Sequence, residues 1–450
     1  MEQRGSFTSK LGVVMAAAGS AVGLGNVWRF PTEVGSNGGA AFILIYLLCV
    51  LLVGIPVMLS EFVIGRHTHA NTITAYKMLA PGKWWRIQGI NGVFVAFIIL
   101  SYYIVISGWT LFYLVEAAIG GLSQSADYSA FFNDFVSSPY SPLIYAVLFM
   151  AMTHFVVVRG VQSGIEKFSK VMMPMLLLII GILVVCSFSM PGTSEGLKFL
   201  LQPDFSKVTP GVMLSAMGQA FFSLSLAMGC LCTYASYFGS DTNLVKTACS
   251  VGIIDTIVAV LSGFFIFPAV FSVSGVTANA GPGLVFITLP NVFNMAFHNV
   301  PVLGYIFTVL FYVLLLLAAL TSSISLHESV TAYVVESMHL TRKRASIWVS
   351  ALCMLLGVLC VLSFGPLSDV KILGLTFFDL FDFVSSKILL PLGGIVICLF
   401  VGWYLDKQLV LNEVTNNGRL RFRFFKAYLF LIRFVVPVAI AALFVNELLR

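Results

Sequence analysis

The chain has 450 residues, of which 59% are apolar and 10% charged, and its mean hydropathy is +0.99. A soluble globular domain is about half apolar and about one quarter charged, so this composition excludes a soluble fold. The net charge of +6 does not indicate nucleic-acid binding, because the basic residues are spread over short polar gaps. The apolar stretches between these gaps are long enough to span a bilayer as helices. The sequence therefore predicts a polytopic, all-α membrane protein.

Eleven apolar segments are predicted to cross the membrane. In chain order they are 11–36, 40–65, 88–120, 141–158, 164–188, 211–238, 243–272, 302–336, 346–364, 377–404 and 427–448. A hairpin outside the membrane is predicted near 280–300. Most Lys and Arg residues fall in alternate gaps, and the positive-inside rule places those gaps, with the N-terminus, in the cytoplasm. The odd number of spans then places the C-terminus outside.

Two of the predicted spans contain segments that are unfavourable for a helix. In the first span Gly19, Gly23 and Gly25 lie within seven residues, and in the sixth the polar, glycine-bearing segment 222–229 interrupts the apolar pattern. A helix broken inside a membrane requires its freed carbonyls and amides to bind something or to line a cavity. Interruptions at corresponding positions of two halves indicate the binding site of a transporter. Close helix packing on small residues is the alternative explanation.

An ordered series of short motifs carries a resemblance to a known family. The motifs are Gly19–Pro31, Asn37-Gly38-Gly39, Gly54-Ile55-Pro56, Glu61-Phe62, Gly164-Ile165-Glu166-Lys167, Gly218-Gln219, Thr233–Tyr237, Phe286–Pro290 and Leu320–Ser323. Together they resemble the neurotransmitter:sodium symporter family, in its bacterial, eleven-span branch. The resemblance implies the inverted five-helix repeat of the leucine-transporter type, with helices 1 and 6 broken. It makes residues 1–450 one domain, with repeats at about 9–188 and 210–404 and an extra helix at about 427–448.

The resemblance also implies two sodium sites. The first takes oxygens of Ala21, Asn26, Ser223 and Asp255, and the second takes oxygens of Gly19, Val22, Ala318, Thr321 and Ser322. Residues 318, 321 and 322 share one helix face by their spacing, which supports the second set independently. Asp255 is a carboxylate within a span, and such residues mark ion or proton sites. Because animal members of the family carry Asn at this position and need chloride, we expect transport here to be independent of chloride.

The implied substrate is a neutral, hydrophobic or aromatic L-amino acid. Amine-transporting members of the family have Asp at the position of Gly23, so its absence favours a substrate that brings its own carboxylate. The positive end of a helix dipole at the break suits that carboxylate. The implied binding residues are Ser20, Ala21, Leu24, Gly25, Ile99, Tyr103, Phe222, Ser223, Ser225, Met228, Ser322 and Leu326.

Two gates are implied by the same resemblance. Arg29 and Asp382 form the outer gate, next to Tyr103 and Phe222, and Arg4, Tyr237 and Glu336 form the inner gate. Lys387 and the pair His327-Glu328 lie outside the family pattern. We expect Lys387 to reach the outer surface; the alternatives are contact with Asp382, tuning of access to the site and recognition of an acidic group. For His327 and Glu328 we expect a buried structural contact, with proton antiport as the alternative.

The sequence therefore predicts a sodium-coupled symporter that works by alternating access in the inner membrane of a bacterium. Its expected partners are the amino acid, about two Na⁺ ions and the lipid bilayer, without chloride, nucleic acid or an obligate protein partner. A sensor that binds amino acids on the same fold without transport is one alternative. A membrane enzyme is another, but the sequence contains no HExxH or GxSxG motif, and we expect no enzymatic activity.

Overall fold

The computed structural model describes residues 5–122, 127–273 and 283–449, and within these ranges it is helical. Nine of the described helices are long and apolar enough to cross a membrane. They are α3 (Ala40–Thr68), α5 (Arg86–Ile119), α7 (Ser141–Val158), α8 (Val161–Ser187), α12 (Leu244–Phe271), α14 (Pro301–Met338), α15 (Arg342–Leu362), α16 (Phe377–Tyr404) and α18 (Phe425–Leu448). The prediction of an all-helical membrane protein is confirmed.

The first predicted span consists of two helices, α1 (Lys10–Ala21) and α2 (Gly25–Ser36), which meet at an angle of 55°. The Ser9 side chain caps the start of α1 by accepting a hydrogen bond from the Gly12 amide. Helix α1 ends where Val22 takes an extended conformation. The chain becomes helical again at Gly25 with a π-helical turn that runs to Arg29. The predicted break is therefore confirmed, and this bent pair gives a tenth span.

The sixth predicted span is interrupted more severely, and it consists of two helices that are each too short to cross a membrane alone. Helix α10 (Pro210–Ser223) begins with a Thr209 cap and a proline in its first turn, and α11 (Cys230–Ala235) is short. Between them Ser225, Ala227 and Gly229 all have positive φ angles, so the segment cannot continue either helix. The buried carboxylate of Glu61, on α3, accepts a hydrogen bond of 2.7 Å from the Ala227 amide. One freed backbone donor is thus satisfied by a side chain from another span.

The broken helices lie inside the bundle. Helix α1 packs against α8, α12 and α14, and α10 packs against α3 and α18. The longest helices, α5 and α14, pack along each other and complete the walls around the two breaks. The two interruptions therefore lie at the centre of the bundle, away from lipid.

Shorter helices connect the spans. They are α4 (Thr72–Leu79), α6 (Tyr128–Ser137), α9 (Thr193–Leu201), α13 (Leu284–Ala296) and α17 (Lys407–Val414). Helix α13 lies within the hairpin predicted near 280–300, of which residues 280–282 are outside the described residues.

The buried indole of Trp109, on α5, contacts aromatic side chains from several of the connecting segments. Its ring contacts Phe132 of α6, Phe286 of α13, Phe364 and Phe378, with ring centroids 5.0–6.4 Å apart. Phe378 lies in the first turn of α16. One aromatic cluster therefore joins two connecting helices to the ends of three spans.

Candidate functional site

A narrow cavity lies between the two helix breaks. Its volume is about 40 Å³, which is space for about three water molecules. The lining residues come from the broken first and sixth spans, α5 and α14; they are Ala21, Gly23, Leu24, Gly25, Asn26, Ile99, Tyr103, Phe222, Ser223, Ser225, Met228, Ser322, Ser325 and Leu326. All predicted substrate residues except Ser20 are in this set. A molecule larger than these few waters can bind in the cavity only if the surrounding side chains move.

Ser20 does not line the cavity, but its backbone helps to join the two helix breaks. Its carbonyl oxygen accepts a hydrogen bond of 2.8 Å from the Ser225 hydroxyl, which joins the two breaks. Sequence reasoning missed Ser325, whose hydroxyl donates to the Ser322 carbonyl at 2.8 Å. Its position three residues after Ser322 places both serines on the same face of α14, and this spacing is the signal that could have found it.

The cavity wall packs closely around Gly23. A Cβ atom at this position would lie 2.5 Å from the Ser322 hydroxyl oxygen and 3.4 Å from the Tyr103 hydroxyl oxygen. The Tyr103 hydroxyl also accepts a hydrogen bond of 3.4 Å from the Leu24 amide. A side chain at position 23 therefore requires the Ser322 hydroxyl to move.

The chemistry of the cavity wall is neutral. Leu24, Ile99, Phe222, Met228 and Leu326 provide apolar surface, and the lining set contains no Lys, Arg, His, Asp or Glu. Helix α2 begins at the cavity, so the positive end of its dipole lies at the wall. The site can therefore accommodate an apolar group on one side and a carboxylate on the other.

Asp255, on α12, is fully buried beside this cavity. Its carboxylate accepts hydrogen bonds from Asn26 Nδ2 at 2.7 Å, from Tyr46 at 3.2 Å and from the Ser223 hydroxyl at 2.9 and 3.1 Å. In the described part of the chain, the ion pairs within 4.0 Å do not include Asp255. A buried carboxylate held by neutral donors is costly, and a bound cation would offset that cost.

The structure thus brings together Asn26, Ser223 and Asp255 of the first predicted sodium site, with Ala21 on the adjoining cavity wall. The Asn26 side chain directs its nitrogen towards Asp255, while its oxygen accepts a hydrogen bond of 2.9 Å from the Gly23 amide. A cation needs the amide oxygen instead, so this side chain would have to turn when Na⁺ binds.

The second predicted sodium set also meets in space. The Thr321 hydroxyl donates to the carbonyls of Val22 at 3.3 Å and Ala318 at 3.0 Å, and the Ser322 hydroxyl donates to Val22 at 3.1 Å. A Cβ on Gly19 would lie 3.3 Å from the Thr321 Cβ atom. The end of α1 therefore lies against α14. The oxygens that meet there are neutral carbonyl and hydroxyl oxygens, which are ligands that suit Na⁺.

The predicted outer-gate residues occupy the same region without bonding to each other. The Arg29 guanidinium lies over the Phe222 ring, 4.5 Å from its centroid. Asp382 accepts hydrogen bonds from Tyr102 at 3.1 Å and Ser386 at 2.7 Å. A direct Arg29–Asp382 bridge is not among the ion pairs found in residues 5–122, 127–273 and 283–449.

The predicted inner gate contains residues that sequence reasoning did not identify. Tyr237 donates a hydrogen bond of 2.7 Å to Glu328, and Arg342 forms an ion pair with the same carboxylate. Glu336 accepts two hydrogen bonds of 2.8 Å from the amide and side chain of Asn71. Arg4 lies outside the described residues. The pairing of Arg342 with a carboxylate 14 positions earlier has no sequence signal, because a loop reversal brings α15 back to α14.

The residues outside the family pattern have partners of their own. Lys387 lies 3.4 Å from Glu447, at the end of α18, and its partner is therefore not Asp382. His327 is buried and bonds to Ser350 at 2.8 Å and to Thr331 at 2.9 Å. His327 and Glu328 are thus both buried, as expected, but each contacts other residues.

Comparison with known proteins places these observations in a family. The family model described as "Sodium:neurotransmitter symporter family" matches residues 4–129 and 137–450. An uncharacterized sodium-dependent transporter, YhdH, from Bacillus subtilis is 44% identical over 98% of this chain and 97% of its own length. The human sodium- and chloride-dependent GABA transporter 2 is 28% identical, over 89% of this chain and 73% of its own.

A solved structure matches the whole fold. The crystal structure of MhsT in complex with L-phenylalanine superposes with a TM-score of 0.90 at 43% identity, and the match covers 99% of this chain and 100% of that one. The similarity confirms the predicted fold class.

Proposed function

Because the chain belongs to the sodium:neurotransmitter symporter family, and is therefore a sodium-dependent symporter rather than an enzyme, we propose that it imports a neutral amino acid with a hydrophobic or aromatic side chain. The observation that carries this proposal is the cavity itself. Its side-chain wall is apolar and uncharged, and a helix N-terminus lies at its other side. An amino acid matches both features, because its carboxylate can meet the helix end while its side chain meets the apolar wall.

The substrate amine would be bound by the carbonyls of Ala21, Phe222 and Ser225, and the Tyr103 hydroxyl would donate to the substrate carboxylate. Gly23 supports an amino acid over a carboxylate-free amine, since this position provides no acidic side chain to bind the amine. The L-phenylalanine bound by MhsT supports an aromatic substrate. The cavity must widen to admit it, and Met228 has the flexible side chain that such a change needs.

We further propose that two Na⁺ ions are carried with each amino acid and that chloride is not required. Asn26, Ser223 and Asp255, with the Ala21 carbonyl, would bind the first ion together with the substrate carboxylate. Thr321 and Ser322 would bind the second, with carbonyls of Gly19, Val22 and Ala318. The permanent charge of Asp255 supports independence from chloride, because it balances a bound cation without a second anion.

The setting of the proposal is the inner membrane of a bacterium, with the N-terminus in the cytoplasm and the C-terminus outside. The gates would be Arg29 and Asp382 on the outer side and Arg4, Tyr237 and Glu336 on the inner side. Alternating access would open them in turn. The separation of Arg29 and Asp382 in this conformation suits an outer gate that pairs in another part of the cycle.

Uptake into proteoliposomes tests the proposal. Purified protein is reconstituted, and the accumulation of radiolabelled L-phenylalanine, L-leucine and L-lysine is measured with an inward Na⁺ gradient and with K⁺ in its place. We expect Na⁺-dependent accumulation of phenylalanine or leucine but not of lysine, with a Hill coefficient for Na⁺ above 1. Replacing chloride by gluconate should leave the rate unchanged. Sodium-dependent binding without accumulation would contradict transport and support the sensor.

A further inference from the structure

An apolar groove of about 540 Å³ runs along the outside of the bundle and shares no lining residue with the central cavity. It is formed by α5, α14 and α15, which pack against one another, with Ile73 of α4 at one end. Phe94 and Trp348 are half-exposed on its opposite walls. Because this face lies on membrane-spanning helices, the groove opens towards lipid and has the chemistry of an acyl-chain site.

One end of the groove is basic. On α5, the lining residues Ile90, Val93, Phe94 and Phe97 follow Arg86 at intervals of four, seven, eight and eleven positions. On α15, Trp348 and Leu352 follow Arg344 at intervals of four and eight positions. These spacings place each arginine on the same helix face as its groove residues. Both arginines lie in the first turn of their helices, so they flank the same end of the groove.

These two arginines have no anionic partner in the described part of the chain. Both are exposed, and neither appears among the ion pairs found there. The carboxylates of α14 nearest this end are engaged elsewhere, Glu328 by Arg342 and Glu336 by Asn71. The mouth of the groove therefore has two cations whose charge is not balanced by the neighbouring protein.

We propose that this groove is a binding site for an anionic phospholipid. One acyl chain lies between α5 and α15 along Phe94 and Trp348, and the phosphate is bound by Arg86 and Arg344. Arginine is suited to this role because its planar guanidinium donates two parallel hydrogen bonds to a phosphate. Basic pockets between membrane helices, next to the headgroup layer, recognise anionic lipids in this way. The proposal is independent of the transported substrate.

Because Trp348 lies in the groove, quenching of its fluorescence can be used to test the proposal. The full-length protein is reconstituted into phosphatidylcholine bilayers with increasing fractions of phosphatidylglycerol or phosphatidylcholine brominated on the acyl chain, and quenching of tryptophan fluorescence is recorded. Subtracting the signal of the Trp348→Phe variant isolates the contribution of Trp348. Relative lipid affinities at the groove follow from the two quenching curves.

We expect phosphatidylglycerol to be preferred over phosphatidylcholine at Trp348 by about fivefold or more. The double variant Arg86→Gln/Arg344→Gln should reduce this preference to near one. Lys246→Gln is the matched control, because it removes an exposed cation from α12, which does not line the groove. Equal quenching by both lipids in the unaltered protein would overturn the proposal. It would also be overturned if the double variant kept the preference, or if Lys246→Gln abolished it equally.

Discussion

In the proposed first sodium site, the charge of one side chain, Asp255, would set the ion requirement of the protein. It is a fully buried carboxylate whose donors Asn26, Tyr46 and Ser223 are all neutral. A charge in such surroundings is stable only when a counter-ion is bound close to it. A cation bound at the proposed first sodium site would therefore stabilise the folded protein as well as take part in transport.

We predict that Asp255→Asn weakens Na⁺ activation of uptake by at least about tenfold, which corresponds to about 1.4 kcal/mol. Loss of the charge also removes the internal balance for Na⁺, so residual uptake should become dependent on chloride. The measurement is the Na⁺ concentration for half-maximal uptake, in chloride and in gluconate. Ser262→Ala is the control, since this serine is also buried on α12 but bonds only to the Val258 carbonyl. Unchanged Na⁺ activation in Asp255→Asn would remove Asp255 from the site.

Gly23 gives a second prediction at the scale of single residues. In Gly23→Ala the added Cβ would meet the Ser322 hydroxyl at 2.5 Å, and the clash should lower substrate affinity at least tenfold. In the Ser322→Ala background that hydroxyl is absent. The remaining contacts of the added Cβ, with the Cβ of residue 322 and the Tyr103 hydroxyl, are 3.4 Å long, which is an ordinary van der Waals distance.

A double-mutant cycle on substrate binding measures this coupling. Gly23→Ala should cost less in the Ser322→Ala background than alone, by more than about 1 kcal/mol. Gly181→Ala is the control, because a Cβ there meets nothing within 4 Å. Additive effects of the two substitutions would contradict a direct contact between positions 23 and 322.

At the scale of elements, the two helix breaks differ in what the sequence could predict. Glycines at 19, 23 and 25 indicate the first break because each lowers helix stability. The second break depends on Ser225 and Ala227 at positive φ, which neither residue type indicates. The Ala227 conformation is maintained by a hydrogen bond to Glu61, which is 166 positions earlier in the chain. Such a distant partner has no local sequence signal.

Gly229 allows a test of the second break. Its φ is +71°, and a Cβ atom there would lie 3.2–3.4 Å from Thr72, Ser329 and Gly92. Gly229→Ala should therefore destabilise the fold by about 1–2 kcal/mol or more. The melting temperature in detergent micelles should fall, whereas Gly181→Ala, in an unobstructed helix, should leave it unchanged or raise it. A melting temperature unaltered in Gly229→Ala would mean that the break can adopt another backbone path.

The predicted site residues lie together in the structure largely because family motifs and helix periodicity locate backbone and small residues well. Thr321 and Ser322 meet Val22 as their spacing on α14 suggests. Long charged side chains were harder to place. Arg29 contacts Phe222 rather than Asp382, and Arg342 rather than a predicted gate residue bonds to Glu328. Their positions depend on rotamers and on the stage of the transport cycle, which the order of residues does not encode.

For the whole molecule, the eleven spans predicted from the sequence lead to a topology that can be tested. With the N-terminus in the cytoplasm, α18 must carry the chain to the outer side. Alkaline phosphatase fused after residue 450 should therefore be active in a bacterial expression host, and green fluorescent protein fused before residue 1 should fluoresce. A phosphatase fusion after residue 420, before α18, is the control and should be inactive. An inactive C-terminal fusion together with an active one after residue 420 would reverse the assignment.

The aromatic cluster around Trp109 gives the protein a built-in optical probe. The Trp109 indole lies in an asymmetric environment formed by Phe132, Phe286, Phe364 and Phe378. It therefore absorbs left- and right-circularly polarised near-ultraviolet light to different extents. Phe378 is one helical turn before Asp382 on α16, so displacement of that turn shifts a ring against the indole. The difference between the dichroism spectra of the unaltered protein and Trp109→Phe would thus report movement of the proposed outer gate without any attached label.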